Sequence, residues 1–537
     1  MHIDVGQYRG PERIAAEVCI VGCGAAGITV ARRLLQLGHH VTLLESGGLD
    51  YEPGTANLNA GDNVGERYYD LEDARLRLFG GTTAIWGGRI AELDPIDLEA
   101  RPWVPHSGWP IPWTELARYY PQARKIFDIP ESTATAQDMM RGGVRVPLAD
   151  SAQIDVGIWD FDRRFNRFQS GSCRDLFAHP RCTILTHATV TRLNLHPGGH
   201  YVESLAVRSL TERTLAITAQ VTILAAGGIE NPRLLLASRA VAPLGIGNDH
   251  DQVGRYFMEH PHARGGRVTG PAAWTLLNAF SRPHRIGGRE LAALLKPSAV
   301  LQRQRGILNT SLTITARQPA SHSQAWGMLA YSKLKQGIAP TRGGRALWMA
   351  TKKAATWVQY HTDPLRPWLL HKLGLREMAL LVRAEQAPNP ASRILLTDQV
   401  DPMGMPRVAL DWHLSRLDIE SVAGLVEALG CELQRLGLGS VEPAEWLRNS
   451  GHWHTDPLIS AHPIGGYHHM GTTRMTSNPR HGVTDSHGRV LGVENLYIVG
   501  SSVFPTSGWA NPTLTAVALA LRTGDRVSSR LPRTAVA

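Results

Sequence analysis

The feature that most restricts the fold is Gly22-Cys23-Gly24-Ala25-Ala26-Gly27, set between the apolar run Val18-Cys19-Ile20-Val21 and a helical pattern through Leu37. Each glycine answers a separate steric demand. Gly22 allows a tight turn, Gly24 lets backbone amides approach a pyrophosphate, and Gly27 lets helix and strand pack closely. The next strand, Val41-Thr42-Leu43-Leu44, ends at Glu45, where a carboxylate accepts bonds from a ribose diol. A G-x-G-x-x-G alone is weak evidence, but strand, helix and acid in register predict an α/β domain that binds a dinucleotide. NAD and FAD fit this fingerprint equally.

Three later stretches favour FAD. Arg77 to Gly88 contains Gly80, Gly81, Thr82, Thr83, Trp86 and two further glycines, a loop able to press its backbone against a flat ligand. Val221 to Arg233 reads as a strand that turns through Ala226, Gly227 and Gly228 into a helix beginning near Pro232. The third stretch runs from Tyr467 to Leu521 and includes a short strand ending at Gly500 and Ser501. Within it Asn511 suits an N-cap and Pro512 the first helical position, predicting a buried helix over Thr513 to Leu521. The positive end of that helix suits a ring system that becomes anionic on accepting a hydride. His468 or His469 supplies a base to the same spot; their side chains point apart, so one of them faces the ring, and order alone does not say which.

Together these motifs resemble the glucose–methanol–choline (GMC) oxidoreductases over residues 18 to 110, 183 to 262 and 385 to 525. The wording around Gly471-Thr472-Thr473-Arg474-Met475 and Ala510-Asn511-Pro512-Thr513 is most similar to the bacterial sugar-oxidising, pyranose-oxidase-like branch. The resemblance implies a Rossmann-like FAD-binding domain assembled from residues 1–110, 182–262 and 464–537. An interleaved α+β substrate domain with an antiparallel sheet comes from 111–181 and 263–463. It places Ala26, Val190 and the loop, turn and helix-start residues named above along the cofactor, with Val190 beside the adenine. It selects His468, three residues before the glycine of its motif, as the catalytic base, and leaves His469 to pack or hydrogen-bond elsewhere at the pocket. Asn511 orients the substrate hydroxyl, Thr82 or Thr83 donates a bond near flavin N5, and Trp509 stands at the pocket mouth. Where covalently flavinylated members carry histidine this chain has Ile85, so FAD is expected to be held noncovalently.

The implied activity is oxidation of a CH–OH group of a sugar, glycoside or similar polyhydroxylated molecule, with O₂ or another electron acceptor. An apolar, steroid-like alcohol and a lyase with spectator flavin are the alternatives. His260 and His262, flanking Pro261, read as structural. Residues 385 to 396 and 406 to 411 read as paired strands, and 275 to 381 match no pattern.

The remaining composition sets limits. Five cysteines show no paired metal spacing, and no apolar run is long enough for a secretory signal or a membrane span, which makes a reduced, cytoplasmic setting the expectation. The net charge of +9 is concentrated between Trp326 and Ala384, where ten Lys or Arg face two acids. With tryptophans and leucines interleaved, that segment reads as a solvated face or as a contact surface for an acidic redox partner or an anionic membrane. Zinc-finger spacing and RNP-like aromatic runs are missing from the sequence, so no nucleic-acid partner is expected.

Overall fold

The computed structural model describes residues 1–164, 166–319, 341–449 and 451–531. The fingerprint strand Arg13–Val21 lies inside an eight-stranded sheet, flanked in parallel by Val41–Leu44 and Thr214–Leu224. Cys182–Thr186 and then His2–Asp4 extend this sheet on one side, and Leu496–Ile498 pairs in parallel with Thr214–Leu224. Three distant parts of the chain thus bring their strand ends to one edge, where parallel sheets open onto ligands.

The strands are buried on both faces, so their sequences are continuous apolar runs. The helix Ala25–Gln36 packs against the C-terminal helix Thr513–Ser528, and Arg33 pairs with Asp525 across that contact at 2.5 Å. The closeness of the first helix to its strand depends on Gly27, where an added Cβ would lie 2.0 Å from the Gly22 carbonyl oxygen.

A second eight-stranded sheet is antiparallel throughout and covers the first. Its order runs Ser440–Pro443, His262–Thr269, Glu377–Arg383, Ser311–Arg317, Arg289–Pro297, Ile154–Phe161 and Arg89–Ile90, with His284–Ile286 beside Arg289–Pro297. The helix Arg416–Arg435, capped by Ser415 and Asp418, buries Val422, Leu425 and Leu429 against it. A buried ion pair between Arg101 and Glu385, 2.5 Å long and inaccessible at both ends, ties the first segment of the chain to this layer.

Several local expectations are corrected. The helix after Thr214–Leu224 begins at Gly227, not near Pro232, and carries Pro232 inside it. A proline there leaves the Gly228 carbonyl without its helical partner; Thr472 Oγ1 donates to that oxygen at 2.6 Å instead. The C-terminal helix runs on to Ser528, and the side chain of Asn511 does not cap it. The strands Arg393–Val400 and Pro406–Asp411 do pair, but they join Gly61–Asn63 in a separate three-stranded sheet rather than the antiparallel cover. Conversely, Arg89–Ile90 joins the cover sheet from within the first segment.

Of the basic segment, Lys333 and Lys335 lie outside the described residues. The rest includes the helices Arg342–Thr362 and Leu365–Lys372, which join two neighbouring cover strands. No described helix is long and apolar enough to cross a membrane.

Candidate active site

A cavity of about 560 Å³ runs from the glycine fingerprint to His468 and Asn511. Of the residues chosen from the sequence, only Gly27 and Trp509 do not line it. Gly27 acts from behind, through its contact with Gly22. Trp509 is buried away from the mouth, its indole N–H donating to Asp94 Oδ2 at 2.9 Å, which corrects its expected position.

The fingerprint end fits a dinucleotide. A Cβ added to Gly24 meets nothing within 4 Å, whereas one on Gly22 would strike the Ala225 carbonyl oxygen at 2.7 Å. Gly24 is therefore the position where the wall stands open to a ligand. The helices Ala25–Gln36 and Thr513–Ser528 both begin at this cavity without a side-chain cap, so their first amides are available to anionic or electron-rich groups. Glu45 Oε2 accepts from Cys23 N at 3.0 Å and Oε1 from Gly47 N at 3.1 Å, which aims the carboxylate and leaves each oxygen a lone pair. Burial raises its pKa to about 7. Val190 and Thr189 line the same end.

In the glycine and hydroxyl loop, Thr83 Oγ1 donates to the Gly80 carbonyl at 2.5 Å, using its one proton. Thr82 Oγ1 accepts from Leu76 N at 3.1 Å and keeps its proton for a ligand. Ile85 faces the cavity with a side chain that cannot form a covalent link.

At the other end the backbone places the two candidate histidines apart. Tyr467 takes a left-handed conformation, φ 61°, unusual for a residue with a bulky side chain, and the chain then leaves His468 and His469 facing opposite ways. His469 Nε2 lies 3.1 Å from the Tyr68 hydroxyl. His468 meets His260 through their Nδ1 atoms at 2.7 Å and Asn511 Nδ2 at its Nε2, 3.2 Å away.

The protons in this chain can be placed by elimination. His260 Nε2 lies 2.8 Å from the Gly508 carbonyl, which can only accept, so that nitrogen carries the proton. Burial pushes His260 down to about 4, so the ring is neutral and its Nδ1 is bare. His468 must then donate from Nδ1, leaving Nε2 unprotonated and accepting from the Asn511 amide. Burial first, and then the nearby histidines, hold His468 well below its ordinary value, so it too is neutral.

Below this pair lies Glu259, fully buried. It accepts from the Tyr68 hydroxyl at 2.6 Å, from the backbone N–H of His260 at 2.7 Å and of Gly466 at 3.1 Å, and from that of His468 at 2.9 Å. Its Oε1 is 3.9 Å from His468 Nδ1. That nitrogen is already bonded to the nearer His260, burial raises Glu259 and lowers His468, and the two are therefore not an ion pair at rest.

Glu259 and His260 are the functional candidates that sequence reasoning missed. They stand 208 or more residues from His468 beside a proline turn, and no spacing rule marks such a pair.

The geometry agrees with the comparisons to known proteins. A family model for GMC oxidoreductases matches residues 388–520, and one for FAD-dependent oxidoreductases matches 17–245. The chain is 25% identical to 2-methyl-1,2-propanediol dehydrogenase of Mycolicibacterium austroafricanum, over 96% of this chain and 95% of that one. It is 24% identical to paromamine 6'-oxidase of Streptomyces fradiae, over 99% and 94%. The crystal structure of pyridoxine 4-oxidase from Mesorbium loti shares the fold with a TM-score of 0.53 at 18% identity, over 96% of this chain and all of that one. With two family models matching in the order the fold requires, and full-length relatives on both sides of the oxidase and dehydrogenase divide, the chain is an FAD-dependent oxidoreductase similar to the GMC family over nearly its whole length.

Proposed function

We propose that this protein oxidises a CH–OH group of a sugar, glycoside or similar polyhydroxylated molecule to a carbonyl, with His468 as the general base. The observation that carries this reading is the unprotonated Nε2 of His468, which accepts from the Asn511 amide at 3.2 Å within the cavity. Alcohol oxidation removes a proton from oxygen and a hydride from carbon. Bound FAD supplies the hydride acceptor. The lone pair on His468 Nε2 takes the hydroxyl proton, and the Asn511 N–H, which cannot serve as a base, orients the oxygen. The resulting imidazolium keeps its Nδ1–H on His260 and has the Glu259 carboxylate nearby, so the positive charge forms beside a fixed negative one.

A polyhydroxylated substrate suits a catalytic end lined by His262, His462, Arg89 and Arg383 better than an apolar alcohol does. The names of the diol dehydrogenase and the paromamine oxidase point the same way. Ile85 supports noncovalent FAD, and five unpaired cysteines fit a reduced, cytoplasmic setting. O₂ or another acceptor completes the cycle. Exposed Trp357, Leu365, Leu369 and Leu373 beside exposed Lys353, Arg366 and Lys372 support contact of these two helices with an anionic surface.

The test is the anaerobic loss of oxidised-flavin absorbance on mixing with polyols, in the native enzyme and in His468→Ala. Loss of the base should slow reduction by roughly 10²- to 10⁴-fold while the bound-FAD spectrum persists. An unchanged rate removes His468 as the base, and cleavage of substrate without bleaching would favour the spectator-flavin lyase.

A further inference from the structure

Two arginines at the catalytic end of the cavity have no counter-charge among the described residues. Arg89 sits on the edge strand of the cover sheet, and Arg383 ends the strand Glu377–Arg383 opposite His262. Both line the cavity together with His468. Their guanidinium carbons lie 5.2 and 5.1 Å from the centre of the same Trp159 ring, so one indole anchors both cations.

Neither has an acidic partner. No carboxylate comes within 4 Å of either among the described residues, and the remaining residues of the chain, 165, 320–340, 450 and 532–537, include no Asp or Glu. The Arg89 side chain donates no hydrogen bond among the described residues, and its buried Nε has no partner. Arg383 donates one long bond, from Nη1 to Thr313 Oγ1 at 3.3 Å. A third cation, Arg317, adds to the local charge, and among the described residues it donates to the Ile459 and Ala316 carbonyls. Arg101, Arg124, Arg233 and Arg264, buried elsewhere, each hold a carboxylate, whereas buried Arg474 lies over the Tyr256 ring and donates to the His106 carbonyl.

Half-buried cations without a counter-charge in a cavity wall are costly, and the guanidinium fork matches the geometry of a planar or tetrahedral oxyanion. Burial, and then the Arg89 and Arg317 charges, push Arg383 well below the usual arginine range, a cost that an incoming anion relieves. We propose that the substrate is an anionic polyol, a sugar or glycoside bearing a carboxylate or phosphate group that Arg89 and Arg383 bind while a hydroxyl lies against His468.

This rests on the proposed alcohol oxidation, and the experiment keeps the two readings apart. A methyl hexoside, the corresponding hexuronate, a hexose phosphate and a hexosamine are titrated into His468→Ala holoenzyme, with binding read by calorimetry and by perturbation of the flavin spectrum. The same four compounds are mixed anaerobically with the native enzyme. An anionic compound should bind at least tenfold more tightly than the neutral one and the amine most weakly, and the uronate and phosphate arms identify which oxyanion is used. Arg89→Gln and Arg383→Gln should each erode the preference of anion over neutral sugar by tenfold or more. Equal binding of neutral and anionic sugars, or a preference that survives both substitutions, overturns the inference. Selective anion binding without reduction of the native flavin by any polyol would instead sink the proposed oxidation and leave the anion site standing.

Discussion

His260 and His468 share one proton across 2.7 Å, and the Gly508 carbonyl decides that it belongs to His468. Because His260 must spend its only proton on that carbonyl, its other nitrogen can do nothing but accept. His468 is thereby fixed in the one tautomer that leaves Nε2 open to the cavity.

His260→Phe removes this control and should slow flavin reduction by 10- to 10³-fold, on the order seen when partners that orient a working imidazole are lost. Asn at 260 can accept from His468 Nδ1 and donate to Gly508 at the same time, so His260→Asn should recover most of the rate. Stopped-flow reduction of both variants at saturating substrate decides the matter. Equal defects in Phe and Asn would mean that ring packing, not the proton, is what His260 contributes.

The pH profile follows from the same geometry. Burial holds His468 well below 6.5, so the base form persists through neutral pH, and the reduction rate should fall only as pH drops below that value. Removing the Glu259 charge takes away a group that favours the imidazolium, so Glu259→Gln should move the acid limb lower still and reduce the plateau by about tenfold or more. A limb at or above pH 6.5 in the native enzyme, or one that rises in the variant, contradicts this account.

Two glycines three residues apart make opposite predictions: Gly27→Ala drives a Cβ to 2.0 Å from a backbone oxygen, while Gly24→Ala points it into open cavity. The first should destabilise the fold by about 3 kcal/mol or more. The second should leave the apoprotein's unfolding midpoint near that of the native chain and weaken FAD uptake at least tenfold. Denaturant titration of the apoproteins, followed by FAD titration, separates the cases; matched behaviour of the two variants would mean that Gly24 does not face the ligand.

Much of this was legible in the chain because the demands are local. A turn through Gly22, a helix starting after Gly24 and an acid at Glu45 are each fixed by neighbours a few residues away, and the strands between them are apolar runs. The helix start at Gly227 was not legible, since Pro232 is tolerated only because Thr472 binds the carbonyl it strands. Asn511 was readable as a cap from its place before Pro512, yet its amide turns to His468 instead. The Glu259–His260 pair was hidden for the same reason: its meaning lies in partners from distant loops, and sequence offers no period for such a meeting. Trp509 was misplaced because proximity to Asn511 along the chain says nothing about the hydrogen bond to Asp94 that draws it inward.

The last prediction concerns Glu45, whose burial raises its pKa to about 7 in the chain without cofactor. Ribose hydroxyls donate to a carboxylate, so the dinucleotide should bind the ionised form and expel the proton that about half of the molecules carry at pH 7. Binding should therefore release roughly half a proton at pH 7 and progressively less above pH 8. FAD affinity should weaken as pH falls through 7, approaching at most about tenfold per unit where Glu45 is mostly protonated. Calorimetric titration of the apoprotein with FAD in buffers of different ionisation enthalpy measures the proton count directly. In Glu45→Gln this contribution disappears: affinity should be lower at pH 8 and nearly flat between pH 6 and 8. Proton uptake on binding by the native apoprotein, or the same pH slope in the glutamine variant, would show that Glu45 is not the group that meets the ribose.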